Sequence, residues 1–593
     1  MLDFCSLHDH SEYSNVRFLD SCIKIKDLVS RAAELGFKGI AVTDHECLSG
    51  AVKLMNMKAS IQEKYPGFKI IFGNEIYLID ESEIKNTNKY YHFILLAKDA
   101  IGWQQLKELS SRAWTRGYME RGMMRVPTTY QDIEEVVGSN PGHLIGSTAC
   151  LGGFLDLAIL NHDVDKVNRF IKWGITTFGK ENFNLEMQVA NTEEQIQCNK
   201  VIIKCANHYG LKYIFTTDTH YLFKEDFNIH SAFLNSRQSA DRETEKFYRY
   251  TYMMSMEEMR EILTDMGHSE EEINIGINNT MVIYNQIQDF DFRLSTIVPH
   301  AKIPAFEFTG LFVPYLSKYT YIDQFIHSEY IDDRYLMYLI ERGLTEKHIK
   351  LDEEKLARLD VELSVISKVS AGLNQTVSSY FLLMREVIDI AWNYSFVGAG
   401  RGSSTGFYIN YLIDLVQVNP LQYNLPYWRF LNDVRFELPD IDTDLNPAQK
   451  DNIMTALKEY YGQNNVLNCI TFKTESLKAA IVNAMRGLGY SNDEAQTLSS
   501  LVPVDRGHVY TMDECINGNE DLDLEPSPAV IDKLREYPHL LETVQKIEGL
   551  HTNASIHASA VYIFDNGYIE HNSLMRAPNG TPVTAFDMED TNA

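Results

Sequence analysis

At 593 residues, 45% of them apolar and 23% charged, the chain has an ordinary globular composition and is too long for one core, which predicts roughly three or four domains. Its formal charge of −28 excludes nucleic-acid binding by the surface as a whole, since phosphate contacts need a basic footprint. There is no apolar run of about eighteen residues, no basic leader ahead of Leu7-His8, and no Cys-x-x-Cys pair among eight cysteines, which predicts a cytoplasmic chain with reduced thiols and no membrane partner.

In chain order, His8-x-His10 follows an apolar start and would set two imidazoles on one face of a strand, a spacing suited to zinc or manganese. The amphipathic stretch Ile23 to Leu35 alternates with apolar β-rich runs, Gly39-Ile40-Ala41-Val42-Thr43 and Phe93-Ile94-Leu95-Leu96-Ala97, a pattern of β-α units around a parallel sheet or barrel. Further candidate metal ligands sit at predicted strand ends: Asp20, His45, Glu75, His92, Cys150 and the pair Asp218-x-His220. From about residue 255 the pattern turns helical, as in Met256 to Leu263 and Tyr380 to Trp392, with a Pro-punctuated connector between Pro299 and Pro314.

The most informative stretch is Gly398-Ala399-Gly400-Arg401-Gly402-Ser403-Ser404-Thr405-Gly406, followed by Pro439-Asp440-Ile441-Asp442-Thr443-Asp444. A Gly/Ser loop lets backbone N–H groups approach a triphosphate, and carboxylates spaced by two on a strand would project from one face, as a pair of catalytic metal ions requires. A calcium loop beginning at Asp440 would need glycine where Leu445 stands. Beyond it come two predicted helices, Ser476 to Leu488 and Asp493 to Leu501, and Ala560-Val561-Tyr562-Ile563-Phe564 as a buried strand. Lys478 and Arg486 fall on one face of the first helix, a spacing that a solvated face also produces.

Between loop and carboxylates, Asn419-Pro420-Leu421-Gln422-Tyr423-Asn424-Leu425 and Arg429-Phe430-Leu431-Asn432 resemble the palm of the bacterial replicative (C-family) DNA polymerases, the DNA polymerase III alpha family. The set from His8 to His220 resembles the polymerase-and-histidinol-phosphatase (PHP) domain, a distorted seven-stranded β/α barrel whose rim holds up to three metals. The resemblance runs from His8 to the last residues and implies an α/β protein. A PHP-type metal-dependent phosphoesterase barrel (1–270) would precede an α+β palm of the β-nucleotidyltransferase type (271–474 and 548–593), with a helical thumb (475–547) inserted in it.

It further implies that His8, His10, Asp20, His45, Glu75, His92, Cys150, Asp218 and His220 hold Mn2+ or Zn2+ for 3′–5′ exonuclease chemistry. Asp440 and Asp442 would hold Mg2+ with Asp444 in support, and Gly400, Arg401, Gly402, Ser403, Lys478, Arg486 and His557 would meet the nucleotide. Three positions depart from the family pattern: Glu46 stands for Gly, Thr552 for Arg and Ile556 for Lys. The family's third palm carboxylate follows text that Pro582 to Met588 resembles and is not reached before Ala593. The expectation is a polymerase split over two polypeptides, in the style of a bacteriophage and working in its host's cytoplasm. A partner would supply the third carboxylate, the fingers and the sliding-clamp contact, and primer-template DNA and deoxynucleoside triphosphates would be the ligands. A strand edge and apolar surface near Val561 and Phe586 would receive that partner. The alternatives are a stand-alone metal-dependent exonuclease or phosphoesterase with a non-catalytic palm, and a non-catalytic assembly subunit.

Overall fold

The structure, a computed structural model, describes residues 2–86, 90–120, 123–236, 246–294, 297–434 and 436–592. The chain forms two compact units, one made of Met1–Arg293, Asn468–Ala560 and Ile569–Ala593, the other of Leu294–Leu467 and Val561–Tyr568.

Seven strands of the first unit lie side by side in chain order: β1 (Cys5–Asp9), β2 (Gly39–Val42), β3 (Lys69–Ile79), β4 (Tyr91–Ala97), β5 (Leu144–Ser147), β6 (Phe183–Gln188) and β7 (Lys212–Thr216). Most of their residues are buried; β2 and most of β4 read as continuous apolar runs, as strands covered on both faces do, while β1 and β6 also carry buried polar residues. Pairing is parallel except that β4 runs against both β3 and β5. The sheet nearly closes. A parallel bridge joins Asp9 to Thr219 just after β7, and the His10 amide donates to the Thr219 carbonyl at 2.9 Å. Helix Ile25–Glu34 turns Ile25, Leu28, Val29, Ala32 and Ala33 inward, the 3.6-residue stripe of a covering helix. The expected distorted seven-stranded β/α barrel is the fold of this region.

Most of a four-stranded sheet ordered His551–Ile563, Val466–Thr474, Pro582–Thr584, Leu574–Arg576 also belongs to the first unit. Between the first two strands in sequence come helices Leu477–Gly487, Asn492–Ser499, Met512–Asn517, Pro528–Arg535 and Leu540–Ile547. Two expectations are corrected here. Ala560 to Ile563 is half-exposed rather than buried, because its strand lies at the sheet's edge. Phe586 is buried at 3% exposure, so its ring is not open surface. Helix Ala100–Arg116 covers the sheet's other edge: Ser111 Oγ accepts the Leu574 amide at 3.0 Å, and the Arg576 guanidinium donates to the Trp114 and Thr115 carbonyls at 2.8 Å.

The second unit is mainly helical, with Ile331–Glu346, Glu353–Leu373, Ser378–Trp392 and Lys450–Tyr461 as its longer helices. Leu336, Ile340, Leu359, Leu363, Phe381 and Phe407 lie in its core. The buried Glu362 carboxylate accepts the Tyr408 and Ile409 amides at 2.7 and 2.9 Å and pairs with Arg358 at 2.6 Å. That contact fixes the short helix Tyr408–Leu412, which leads out of the Gly/Ser loop.

Candidate metal centre and nucleotide loop

The nine ligands expected in the barrel converge at one end of it. His8 is the last residue but one of β1, His10 lies one residue beyond that strand, and Glu75 projects from the middle of β3. Three groups of potential ligand atoms, each lying within 4.8 Å of one another, are His10/His45/His220, His8/His10/Glu75/Asp218 and Glu75/His92/Cys150. Asp20 joins the first, its Oδ2 lying 2.6 Å from His45 Nε2 and 3.0 Å from His220 Nε2. Glu75 Oε2 lies 2.8 Å from His8 Nε2 and 2.9 Å from His10 Nε2, and Asp218 Oδ1 lies 3.1 and 3.2 Å from the same atoms.

The surroundings orient these imidazoles for a cation. His8 Nδ1 lies 2.6 Å from Glu186 Oε1, so it donates there and turns Nε2 to the cluster. The Ser14 hydroxyl, which donates to Asp44 at 2.7 Å, lies 2.9 Å from His10 Nδ1, and His220 Nδ1 lies 2.7 Å from the Asp218 carbonyl. The Nε2 atoms of His8 and His10 then face each other at 3.2 Å, while the buried Glu75 Oε1 and Asp218 Oδ1 have only imidazole nitrogens beside them, His92 Nδ1 for the first and the two Nε2 atoms for the second. Buried oxygens of this kind are costly unless a cation or donor satisfies them. Neutral imidazole, carboxylate and a thiol form a donor set that zinc or manganese fits. Burial opposes a charged imidazole at His10, yet Asp218 and Glu75 outweigh it and raise its pKa to about 10. Burial would likewise raise Asp20, but His220 and His45 hold its carboxyl well below the usual range.

Sequence reasoning missed Glu186 and Ser14, which touch the imidazoles, and Asp44, which holds the Ser14 hydroxyl. Glu186 was accessible in principle: Asn184, Glu186 and Gln188 alternate with Phe183, Leu185 and Met187 along β6, the sign of a strand with a polar inner face. Glu46 shows why the family position favours glycine, since its φ is +54°. Its buried carboxyl accepts the Tyr77 amide through Oε1, leaves Oε2 without a hydrogen bond, and is pushed up to about 8 by burial against the opposing charge of Arg17. Glu46→Gly is therefore expected to stabilise the barrel by about 1 kcal/mol, since a left-handed backbone costs a side-chain-bearing residue that much. Calorimetry would show this as a rise in the first unit's melting temperature; a fall would mean that the Tyr77 amide contact outweighs the strain.

In the second unit, Asp440, Asp442 and Asp444 do not lie on a strand as expected; the segment is extended but irregular, with one antiparallel bridge, Val397 to Leu445. Without a full ladder beside it the chain keeps the alternation alone. All three carboxylates are exposed, while Ile441 and Leu445 pack on the core. The loop lies against this row. The Gly398 amide donates to the Asp444 carbonyl at 2.9 Å, and Arg401 Nη1 lies 3.2 Å from Asp444 Oδ1. Gly402 has a φ of +63°, and a Cβ there would stand 3.3 Å from Asp442 Oδ2; at Gly400 (φ +130°) a Cβ would meet Thr405 at 2.8 Å. Side-chain-bearing residues would strain this turn and crowd the carboxylates. Arg401 thus lies beside Asp444 and Gly402 beside Asp442, with Gly400 and Ser403 adjoining them in the chain, and exposed oxygens in a row are ligands that magnesium accepts. Lys478, Arg486 and His557 belong to the first unit. Arg486 donates to Asn492 Oδ1 at 2.6 Å, and His557 Nδ1 accepts the Ala560 amide of its own strand at 2.9 Å. Asp590 pairs with Lys53 at 2.9 Å.

Comparison with known proteins matches residues 6–190 to the family described as PHP domain, and residues 334–593 to the bacterial DNA polymerase III alpha NTPase domain. Relatives named "Probable DNA polymerase YorL" (Bacillus subtilis, strain 168) and "DNA-directed DNA polymerase" (Bacillus phage SPbeta) are each 39% identical over 625 residues, covering 99% of this chain and 47% of theirs. The chain carries a PHP domain followed by a region of the DNA polymerase III alpha NTPase type. "DNA polymerase III subunit alpha" of Thermus aquaticus is 28% identical, over 99% of this chain and 49% of its own. The chain spans about half the length of the curated relatives it matches. Among solved structures, an amidohydrolase from Chromobacterium violaceum is 16% identical over 36% of this chain with a TM-score of 0.25, too slight a likeness to carry an argument. Among the described residues, no helix is long and apolar enough to cross a membrane.

Proposed function

We propose that this chain is the catalytic part of a DNA-directed DNA polymerase that extends a primer on a template with deoxynucleoside triphosphates, and that its barrel removes nucleotides from DNA 3′ ends. The observation that carries the polymerase reading is the contact of the Gly/Ser loop with the carboxylate row, where Gly402 leaves room for Asp442 and Arg401 rests on Asp444. Magnesium, when bound, supplies the positive charge that nucleotidyl transfer needs at its attacking and leaving oxygens. Asp440 and Asp442 hold it. The amides of Gly402 and Ser403 receive the triphosphate, and Arg401 leaves an exposed, weak pair with Asp444 to fork onto phosphate oxygens.

In the barrel, manganese or zinc supplies Lewis-acid charge for phosphodiester cleavage. His8, His10, Asp20, His45, Glu75, His92, Cys150, Asp218 and His220 hold it, and Glu186 and Ser14 keep two of the imidazoles in the ligating tautomer. His92, on the edge of the cluster with 23% of its side chain exposed, marks the side from which a DNA end enters.

We propose further that the third palm carboxylate, with the fingers and the sliding-clamp contact, comes from a second polypeptide. Asp590, which could otherwise stand in for that carboxylate, is committed to Lys53. The expected result is that the chain alone incorporates no nucleotide on a primed template, and that adding the product of a neighbouring reading frame resembling the polymerase fingers restores synthesis. Robust synthesis by this chain alone would discard the split enzyme.

A further inference from the structure

Phe396 is 89% exposed, although a ring of that size forfeits in water what burial would give it. Its chain neighbours Trp392 and Tyr394 are 43% and 44% exposed and keep more of their surface in the fold. The bridge between Val397 and Leu445 settles which way Phe396 faces. Val397 and Leu445 are turned to the core, and side chains alternate along paired extended segments. Phe396 and Gly398 therefore stand on the outer face, opposite Asn446 and Asp444. A Cβ on Gly398 would lie 2.9 Å from Asp444 Cβ, which puts the two positions on the same face. Asp442 and Asp440 continue that face, both exposed. Two residues of extended chain, about 7 Å, separate Phe396 from the point where Gly398 meets Asp444.

The immediate setting of the ring is polar. Asp444 and Asn446 are exposed across from it, and Ser395 Oγ accepts the Asn446 amide at 3.0 Å. Protein-docking cores are depleted of charge, whereas sites for nucleotides and single strands interleave aromatic rings with charged and polar groups, because every base has a π-face to stack.

We propose that Phe396 is a stacking platform for a nucleobase, that of the primer end or of the incoming nucleotide, held at the Asp440–Asp444 row; this rests on the polymerase reading above. The experiment places 2-aminopurine, whose fluorescence is quenched by stacking, either at the primer 3′ end or in the free deoxynucleoside triphosphate. Each is titrated with the full chain and magnesium. Because the ring is exposed, Phe396→Ala, Phe396→Leu and Phe396→Trp keep the fold, as circular dichroism would verify. Wild-type chain should bind and quench one of the probes, and which one identifies the base. Phe396→Ala and Phe396→Leu should lose quenching and roughly 5- to 150-fold in affinity, the range for loss of one stacked base, while Phe396→Trp restores both. If the wild type binds and quenches but Phe396→Ala or Phe396→Leu does the same, stacking is overturned while the polymerase reading stands. If the wild type binds neither probe even with the fingers-bearing polypeptide added, both fall. If Phe396→Ala alters only self-association or partner capture, the ring is a protein contact and the proposal is overturned.

Discussion

Replacing Asp442 by Ala is expected to abolish primer extension by the complete polymerase, with a loss of about 10²–10³-fold or more, the scale at which single preorganised charges act on a transition state. Asp442 lies where the Gly/Ser loop comes closest to the row, its Oδ2 3.3 Å from the place a Gly402 side chain would take. Asp440→Ala should be as severe, because two ligands acting on one metal pair fail together. Asp444→Asn should be milder, since that carboxylate already serves Arg401 at 3.2 Å. None of the three should change hydrolysis in the barrel, whose ligands belong to the other compact unit. Steady-state extension and 3′-end removal measured side by side would check all four statements. If Asp444→Asn were the most damaging, the metal pair would have to be reassigned.

His10→Ala is expected to remove metal-dependent removal of a 3′-mispaired nucleotide altogether while leaving extension of a matched primer in place. His10 belongs to two of the three ligand groups, so one substitution opens both. Altering a group that merely orients a ligand costs about 10–100-fold, which is the expectation for Ser14→Ala. Elemental analysis should find manganese or zinc in the wild type and less in His10→Ala. The pH dependence has a definite sign. The carboxylates raise His10 to about 10 despite its burial, so its proton must leave when a metal arrives, and metal affinity should climb as pH rises toward that value. Metal-free protein, or hydrolysis indifferent to chelator, would remove the barrel from the list of active sites.

The barrel was readable because its ligands come at strand ends in short pairs, His8-x-His10 and Asp218-x-His220, between apolar runs too regular to mistake. Its supporting shell was less so. Asp44 and Ser14 work through folded proximity to His10, 34 and 4 residues away along the chain, and nothing in their own neighbourhood marks them. In the palm the alternation of Asp440, Asp442 and Asp444 was read correctly as one exposed face, but the strand inferred from it is absent, because period two needs only extended backbone whereas a strand needs a partner along its length. Ala560 to Ile563 misled for the related reason that an apolar run does not say whether its strand is central or at an edge. Phe586 was expected at open surface, yet it is buried, which an apolar residue in the sequence does not reveal by itself.

The cluster draws its first ligand from residue 8 and its last from residue 220. A metal held there clasps the two ends of a chain of more than two hundred residues, closing the barrel at the seam where Asp9 meets Thr219. Such a clasp acts on the unfolded chain, by forbidding the wide excursions its ends would otherwise make, and a longer loop gives the clasp a larger effect. It also cannot exist until ribosomal synthesis has passed His220, so the half-made barrel must stand on its apolar strands alone while it waits.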